Sequence, residues 1–245
     1  MPTLLMTPRQ TEDSRALWKV AAGRGWRIER LAGWVIPDAL RDVESPVLYA
    51  EALFGPTFAE KLGVTLLDPP EDWLVRLPQT YRRRKIVLTT LAEARQRTSP
   101  AFIKPPNDKS FPAGVYLGSA LPNDYDDDMP VLVSEVVHWQ SEFRCFVLDR
   151  EVRTFSLYCR DGELQRDSGF ESSDEEDRDM LGFVQQLLED VSVDLPRAIV
   201  IDVGLIAQHG WACVELNAAW GAGLYACDPE AALDVIRYAT VPPYD

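Results

Sequence analysis

Two apolar runs near the C-terminus constrain this chain most: Ile199 to Ile206, which carries Asp202 in I-V-I-D-V-G, and Ala212 to Leu216, which carries Glu215 and leads into Asn217 in A-C-V-E-L-N-A-A-W-G. Their β-branched, apolar composition predicts two strands paired around the turn at His209-Gly210. Side chains alternate along a strand, so Glu215 and Asn217 share a face. Pairing of the two runs would bring two carboxylates and an amide oxygen together. Hard oxygen donors of this kind suit Mg²⁺, which keeps several waters and is usually shared with nucleotide phosphates. An isolated E-x-N pair lines the solvated face of an edge strand at least as often, so the rest of the chain must decide between the two readings.

With 245 residues the chain is long enough for a sizeable core, organised as one large domain or two to three small ones. It contains no apolar run of about 18 residues that could span a bilayer. The start, M-P-T-L-L-M-T-P-R, lacks the basic region and long apolar core of a signal peptide. These features predict a cytoplasmic protein with no membrane partner. Cys145, Cys159, Cys213 and Cys227 are widely spaced and form no C-x-x-C pair, which predicts buried, reduced thiols. A net charge of −14 argues against a nucleic-acid partner, since such binding rests on neutralising phosphates with surplus Lys and Arg. A local basic pocket remains compatible with that charge.

The first half alternates: strands at Thr3 to Met6, Trp26 to Leu31, Val47 to Ala50 and Val64 to Leu67, with helices at Thr11 to Gly23 and Ala52 to Leu62, the latter containing Pro56. This βαβ-type order predicts a small, mostly parallel sheet. A short helical segment, Glu71 to Leu77, precedes the basic run Arg82-Arg83-Arg84-Lys85, and a domain boundary is expected near residues 78–85.

The second half predicts strands at Ala101 to Lys104, Gly114 to Leu117, Val131 to Val137, Phe143 to Leu148 and Val152 to Tyr158, with a hairpin at Asp149-Arg150-Glu151. Glu171 to Asp177 resembles a metal cluster, but Ser173 followed by Glu176 is a capping box that starts a helix running to about Val191. A last helix is predicted over Pro229 to Tyr238. In F-I-K-P, Lys104 ends an apolar strand, where its ammonium can emerge beside phosphates. Glu135 and Glu142 lie seven residues apart across a short apolar connection, and Arg144 shares a face with Glu142. That spacing suits a hinge beneath an adenine ring.

The order Lys104, Glu135, Glu142, Arg144, Asp202, Glu215, Asn217 resembles the ATP-grasp superfamily, which includes D-alanine:D-alanine ligase, glutathione synthetase and RimK-like peptide ligases. The gaps of seven residues from Glu135 to Glu142 and thirteen from Asp202 to Glu215 match the pattern of D-alanine:D-alanine ligase. F-I-K-P-P-N-D-K-S-F-P-A-G-V-Y looks most like an ATP-grasp clade scattered through bacterial and phage-linked genomes. The resemblance spans roughly residues 80–245. It implies an α/β (α+β) ATP-grasp fold: an N-terminal α/β domain over 1–80, a lid subdomain over 81–130, and a larger mixed-sheet subdomain over 131–245.

The resemblance also implies roles. Lys104 would contact the ATP phosphates, assisted by Lys85, whose basic neighbours make a solvated face an equal alternative. Lys109, in a loop stiffer than the glycine-rich loops of many such ligases, would reach the γ-phosphate or stay in solvent. Glu135 and Val137 would meet adenine through backbone groups, and Glu142 would bind ribose. Asp202, Glu215 and Asn217 would hold Mg²⁺. Arg144 would steady the transferred phosphoryl group, with Arg153 a weaker candidate for the same pocket. Trp220 would stack on a substrate or simply pack. His138 and His209 read as a surface and a turn residue rather than catalysts.

The implied reaction is ADP-forming carboxylate–amine ligation through an acyl phosphate, on an amino acid, peptide or similar small substrate. Alternatives are a protein-modifying ligase or phosphotransferase, or a non-catalytic ATP-binding module. A homodimer is the default assembly.

Overall fold

Thr3 to Met6 are all buried, and this apolar strand becomes the centre of a parallel sheet. The computed structural model describes residues 1–41, 43–107 and 109–243. In the N-terminal unit, β1 (Thr3–Met6) lies between β2 (Arg27–Arg30) and β3 (Pro46–Tyr49), parallel to both. The connection from β1 to β2 runs through α1 (Glu12–Gly23), started by a capping box in which Thr11 and Ser14 each accept the other's backbone N–H. The next helix, α2 (Gly55–Leu62), begins three residues later than expected because Pro56 sits in its first turn, where no N–H is needed. It stops at Gly63, whose φ of 65° is left-handed. The two-residue strand β4 (Thr65–Leu66) follows.

The segment expected as one helix over Glu71 to Leu77 is two short ones, α3 (Trp73–Arg76) and α4 (Gln79–Arg82). Leu77 precedes Pro78 and takes the extended backbone that proline imposes on its neighbour. Strand β5 (Ile86–Thr90) and helix α5 (Leu91–Arg95), unmarked in the sequence reading, come next. With β6 (Ala101–Lys104), β7 (Gly114–Tyr116) and β8 (Pro130–Ser134), β5 forms an antiparallel sheet in the order β5-β8-β6-β7. The boundary expected at residue 130 falls at the start of β8, whose partners are β5 and β6, so sheet membership carries this small sheet through Ser134. Its own core is Leu91, Ile103, Phe111, Val131 and Val133.

The larger sheet holds β9 (Trp139–Leu148), β10 (Glu151–Arg160), β11 (Glu163–Leu164), β12 (Ala198–Ile206) and β13 (Gly210–Asn217), in the order β11-β10-β9-β12-β13, antiparallel throughout. Asp149 and Arg150, with φ of 52° and 63°, make the tight left-handed turn between β9 and β10. The helix α6 (Asp174–Glu189) starts at the Ser173–Glu176 capping box. It buries Met180, Val184 and Leu187 against the face of the sheet carrying Cys145, Val147, Ile199 and Ile201. The opposite face, through Phe146, Leu148 and Val200, shares one core with the N-terminal parallel sheet and α7 (Pro229–Arg237). Strand β14 (Thr240–Val241) then pairs with β4. All four cysteines are free and buried.

Candidate active site at the seam of two antiparallel sheets

Asp202 faces the same side of the large sheet as Arg144, its direct neighbour on β9. On β13 the pairing shifts: Asp202 opposes Glu215 while Val203 opposes Cys213, so Val214 is an extra residue. In an unbroken strand Cys213, Glu215 and Asn217 would share a face. The bulge reverses the alternation, leaving Cys213 and Leu216 in the core beneath α6 and turning Glu215 and Asn217 towards Asp202. The Asn217 Nδ2 group donates to Asp202 Oδ2 at 2.9 Å and to Glu215 Oε1 at 3.0 Å. All three groups meet as the spacing implied.

Two cations complete the cluster. Arg144 donates from Nε and Nη2 to the two oxygens of Asp202, at 2.9 and 2.6 Å, and from Nη1 to the Gly223 carbonyl at 3.1 Å. Lys104, at the end of β6, forms an ion pair with Glu215 Oε2 and so joins the small sheet to the large one. Burial favours the neutral form of Glu215, but Lys104 and the Asn217 amide outweigh it and hold its carboxyl down at about 2. Asp202 has no solvent exposure, and burial pushes its pKa up despite Arg144. Desolvation opposes the charge on Arg144 as well, yet Asp202 more than compensates and keeps the guanidinium protonated.

The connection from β8 to β9 holds the expected hinge residues. Glu135 accepts the Lys85 backbone N–H on its carboxylate at 2.8 Å, and its own N–H donates to the Lys85 carbonyl at 3.0 Å. Among the described residues, the backbone groups of Val136 and Val137 make no hydrogen bond. Glu142 accepts from the Tyr158 hydroxyl at 2.8 Å, and burial raises its pKa. Lys85 and Lys109 are exposed; the Lys85 ammonium makes no ion pair among the described residues. Asp108, beside Lys109, lies outside the described residues.

Other expectations are corrected. Arg153 pairs with Glu151 at 3.2 Å on the exposed side of β10, away from the cluster. Trp220 is a packing residue: its ring lies against Gly55 and its Nε1 donates to Asp68 at 3.0 Å. The arginine run is not a solvated face. Arg82 and Arg83 donate to the carbonyls of Val75 and His209, and Arg84 is buried. His138 is exposed and pairs with Asp161, and His209 sits in the turn before β13. Tyr158 and Tyr225 carried no signal at all. Their rings stack at 5.2 Å and lie 5.6 and 4.8 Å from the Arg144 guanidinium.

The donor chemistry fits Mg²⁺. No group of three or more His, Cys, Asp or Glu that could hold a metal occurs among the described residues. The chain therefore offers two carboxylates and an amide, the small oxygen set that suits an ion completed by water and phosphate.

A small antiparallel sheet and a larger one, meeting at a lysine on one and a carboxylate on the other, define the class: ATP-grasp proteins. Residues 81–235 match the family model described as an ATP-grasp domain, family 2 of its clade, and the chain belongs to that family. No curated protein matches it in sequence. Among solved structures, the D-cycloserine synthetase DcsG is similar with a TM-score of 0.65 at 13% identity, over 97% of this chain and 99% of that one. A D-alanine–D-alanine ligase from Bacillus anthracis is similar at 0.59 and 10%, over 98% and 97%. The ATP-grasp ligase PsnB complexed with a minimal precursor is similar at 0.55 and 12%, over 97% and 98%. Identities this low establish the fold alone. ATP-grasp enzymes as a family use ATP and Mg²⁺.

Proposed function

We propose that the chain is an ADP-forming carboxylate–amine ligase acting on an amino acid, a peptide or a similar small substrate. The observation that carries this reading is the meeting of Lys104 with Asp202, Glu215 and Asn217 at the seam between the two sheets. Lys104 leaves Glu215 to bind nucleotide phosphates, and Asp202, Glu215 and Asn217 hold Mg²⁺. When bound, that ion neutralises charge on the phosphates. The unpaired backbone of Val136 and Val137 is suited to read the adenine edge, and Glu142 to accept from ribose hydroxyls. A substrate carboxylate attacks the γ-phosphate, ADP leaves, and an amine displaces phosphate from the acyl phosphate. Arg144, fixed by Asp202 and flanked by two tyrosines, faces the anionic group being transferred. No side chain acts as nucleophile; the protein orients the reactants and excludes water.

The names of DcsG and the D-alanine–D-alanine ligase support a small-molecule ligation, and that of the PsnB complex a peptide substrate. The test is thermal unfolding with a non-hydrolysable ATP analogue and Mg²⁺, beside Lys104→Ala. Binding at a hundredfold excess over Kd stabilises by about 2.7 kcal/mol. A Mg²⁺-dependent rise in Tm that vanishes in Lys104→Ala supports the site; no rise at millimolar nucleotide overturns it. Release of ADP on adding pooled amino acids or peptides then identifies the ligase. Release of AMP contradicts the mechanism.

A further inference from the structure

Arg84 precedes β5, at the root of the small sheet, yet its side chain lies across the edge of the large one. Its Nη1 donates to the Cys213 carbonyl at 2.7 Å and its Nη2 to the Val214 carbonyl at 3.0 Å. Successive carbonyls of a regular strand point to opposite edges. That these two reach one guanidinium is a direct consequence of the bulge at Val214. Nη1 also reaches the Arg82 carbonyl at 3.0 Å, closing the loop from α4.

The guanidinium is held from its face as well as its edge. It lies 4.9 Å from the Trp139 ring centroid. Trp139 in turn lies flat on β12 because residue 204 is glycine: a Cβ there would come within 2.6 Å of the ring and 2.8 Å of the Ser141 carbonyl. Gly204, Trp139 and Arg84 thus form a stack ending on the two bulge carbonyls. Arg84 is 6% exposed, too buried to be a solvated charge.

We propose that Arg84 is a positioning residue for the metal strand, fixing the bulge that turns Glu215 and Asn217 towards Asp202. A planar fork is needed, since it bonds two carbonyls in its plane while stacking on an indole; a lysine ammonium cannot do both. The functional half of this claim rests on the reading of Glu215 and Asn217 as metal ligands. Groups that orient ligands in this way change metal affinity by about 10–100-fold when replaced.

The experiment compares wild type with Arg84→Lys and Gly204→Ala, the second displacing Trp139 without touching the guanidinium. Hydrogen–deuterium exchange reports on residues 211–217, and calorimetry measures ATP-analogue binding with and without Mg²⁺. The expected result is faster exchange confined to that strand, metal-free nucleotide affinity unchanged, and the Mg²⁺-dependent gain weakened by about 10–100-fold. Unchanged exchange, or an unchanged Mg²⁺ gain in folded Arg84→Lys, overturns the assignment. If Arg84→Lys does not fold, Gly204→Ala decides by the same readouts. A wild-type protein that gains nothing from Mg²⁺ removes the metal reading of Glu215, while the exchange result still decides whether Arg84 holds the bulge.

Discussion

Arg144 grips both oxygens of Asp202, and the two side chains keep only 9% and 1% of their exposure. Removing one partner of a buried pair strands the other charge, at a cost of about 3–5 kcal/mol. Asp202→Asn is therefore expected to lower stability by that order as well as abolishing turnover. Glu215, 27% exposed at the rim, has no such burden, and Glu215→Gln should abolish turnover with the fold intact. Urea titration beside an ADP-release assay separates the two, and equal stability of the variants would show that the pair contributes little.

The ion pair between Lys104 and Glu215 makes stability depend on pH. Glu215 has a folded pKa of about 2, below its usual 4.5, so its contribution is complete above the unfolded value and disappears as pH falls through about 2. In metal-free protein, wild type should lose stability relative to Lys104→Met between roughly pH 5 and pH 2, by about 1–3 kcal/mol in all. Parallel pH profiles for the two proteins would mean that Lys104 does not hold Glu215 in solution.

What the chain disclosed in advance is what short-range chemistry controls. The capping box at Ser173, the turn at Asp149-Arg150 and the facing of Asp202, Glu215 and Asn217 all follow from local spacing. The site reading reached the right residues by a route that omitted the bulge: alternation puts Glu215 with Asn217, but only the extra Val214 puts both with Asp202. Arg84 was hidden because its partners are carbonyls 129 and 130 residues away, which no side-chain pattern reveals. Strand β5, half exposed and following four basic residues, lacked clear alternation. Tyr158 was invisible because β10 shifts register between Leu157 and Cys159, and Arg153 was misread because β10 shifts again between Val152 and Thr154.

Gly55 is a packing constraint at the junction between the N-terminal unit and the metal strand. A Cβ there would meet the Trp220 ring at 2.2 Å. Trp220 is pinned by its bond to Asp68 and by the Ala50 N–H on its carbonyl at 3.0 Å, so it cannot slide away freely. Gly55→Ala should cost about 1–3 kcal/mol and alter tryptophan fluorescence. An unchanged urea midpoint and emission spectrum would show that the junction yields without strain.

Glu142 and Asp202 lie on the same face of the large sheet but serve different parts of the bound nucleotide in the proposed function, and their variants should separate accordingly. Glu142 already accepts a hydrogen bond from Tyr158, so a ribose hydroxyl would join or replace an existing donor rather than meet a bare charge. A net hydrogen bond to a charged group is worth about 1.5–3 kcal/mol. Glu142→Gln is therefore expected to weaken ATP-analogue binding by roughly 10- to 100-fold, equally with and without Mg²⁺. Tyr158→Phe, which frees the carboxylate, should leave affinity equal or improved. Calorimetric titration of both variants with ATP and with adenine alone checks this: a loss in Glu142→Gln that appears equally for adenine, which has no ribose, would move Glu142 from the sugar to the base.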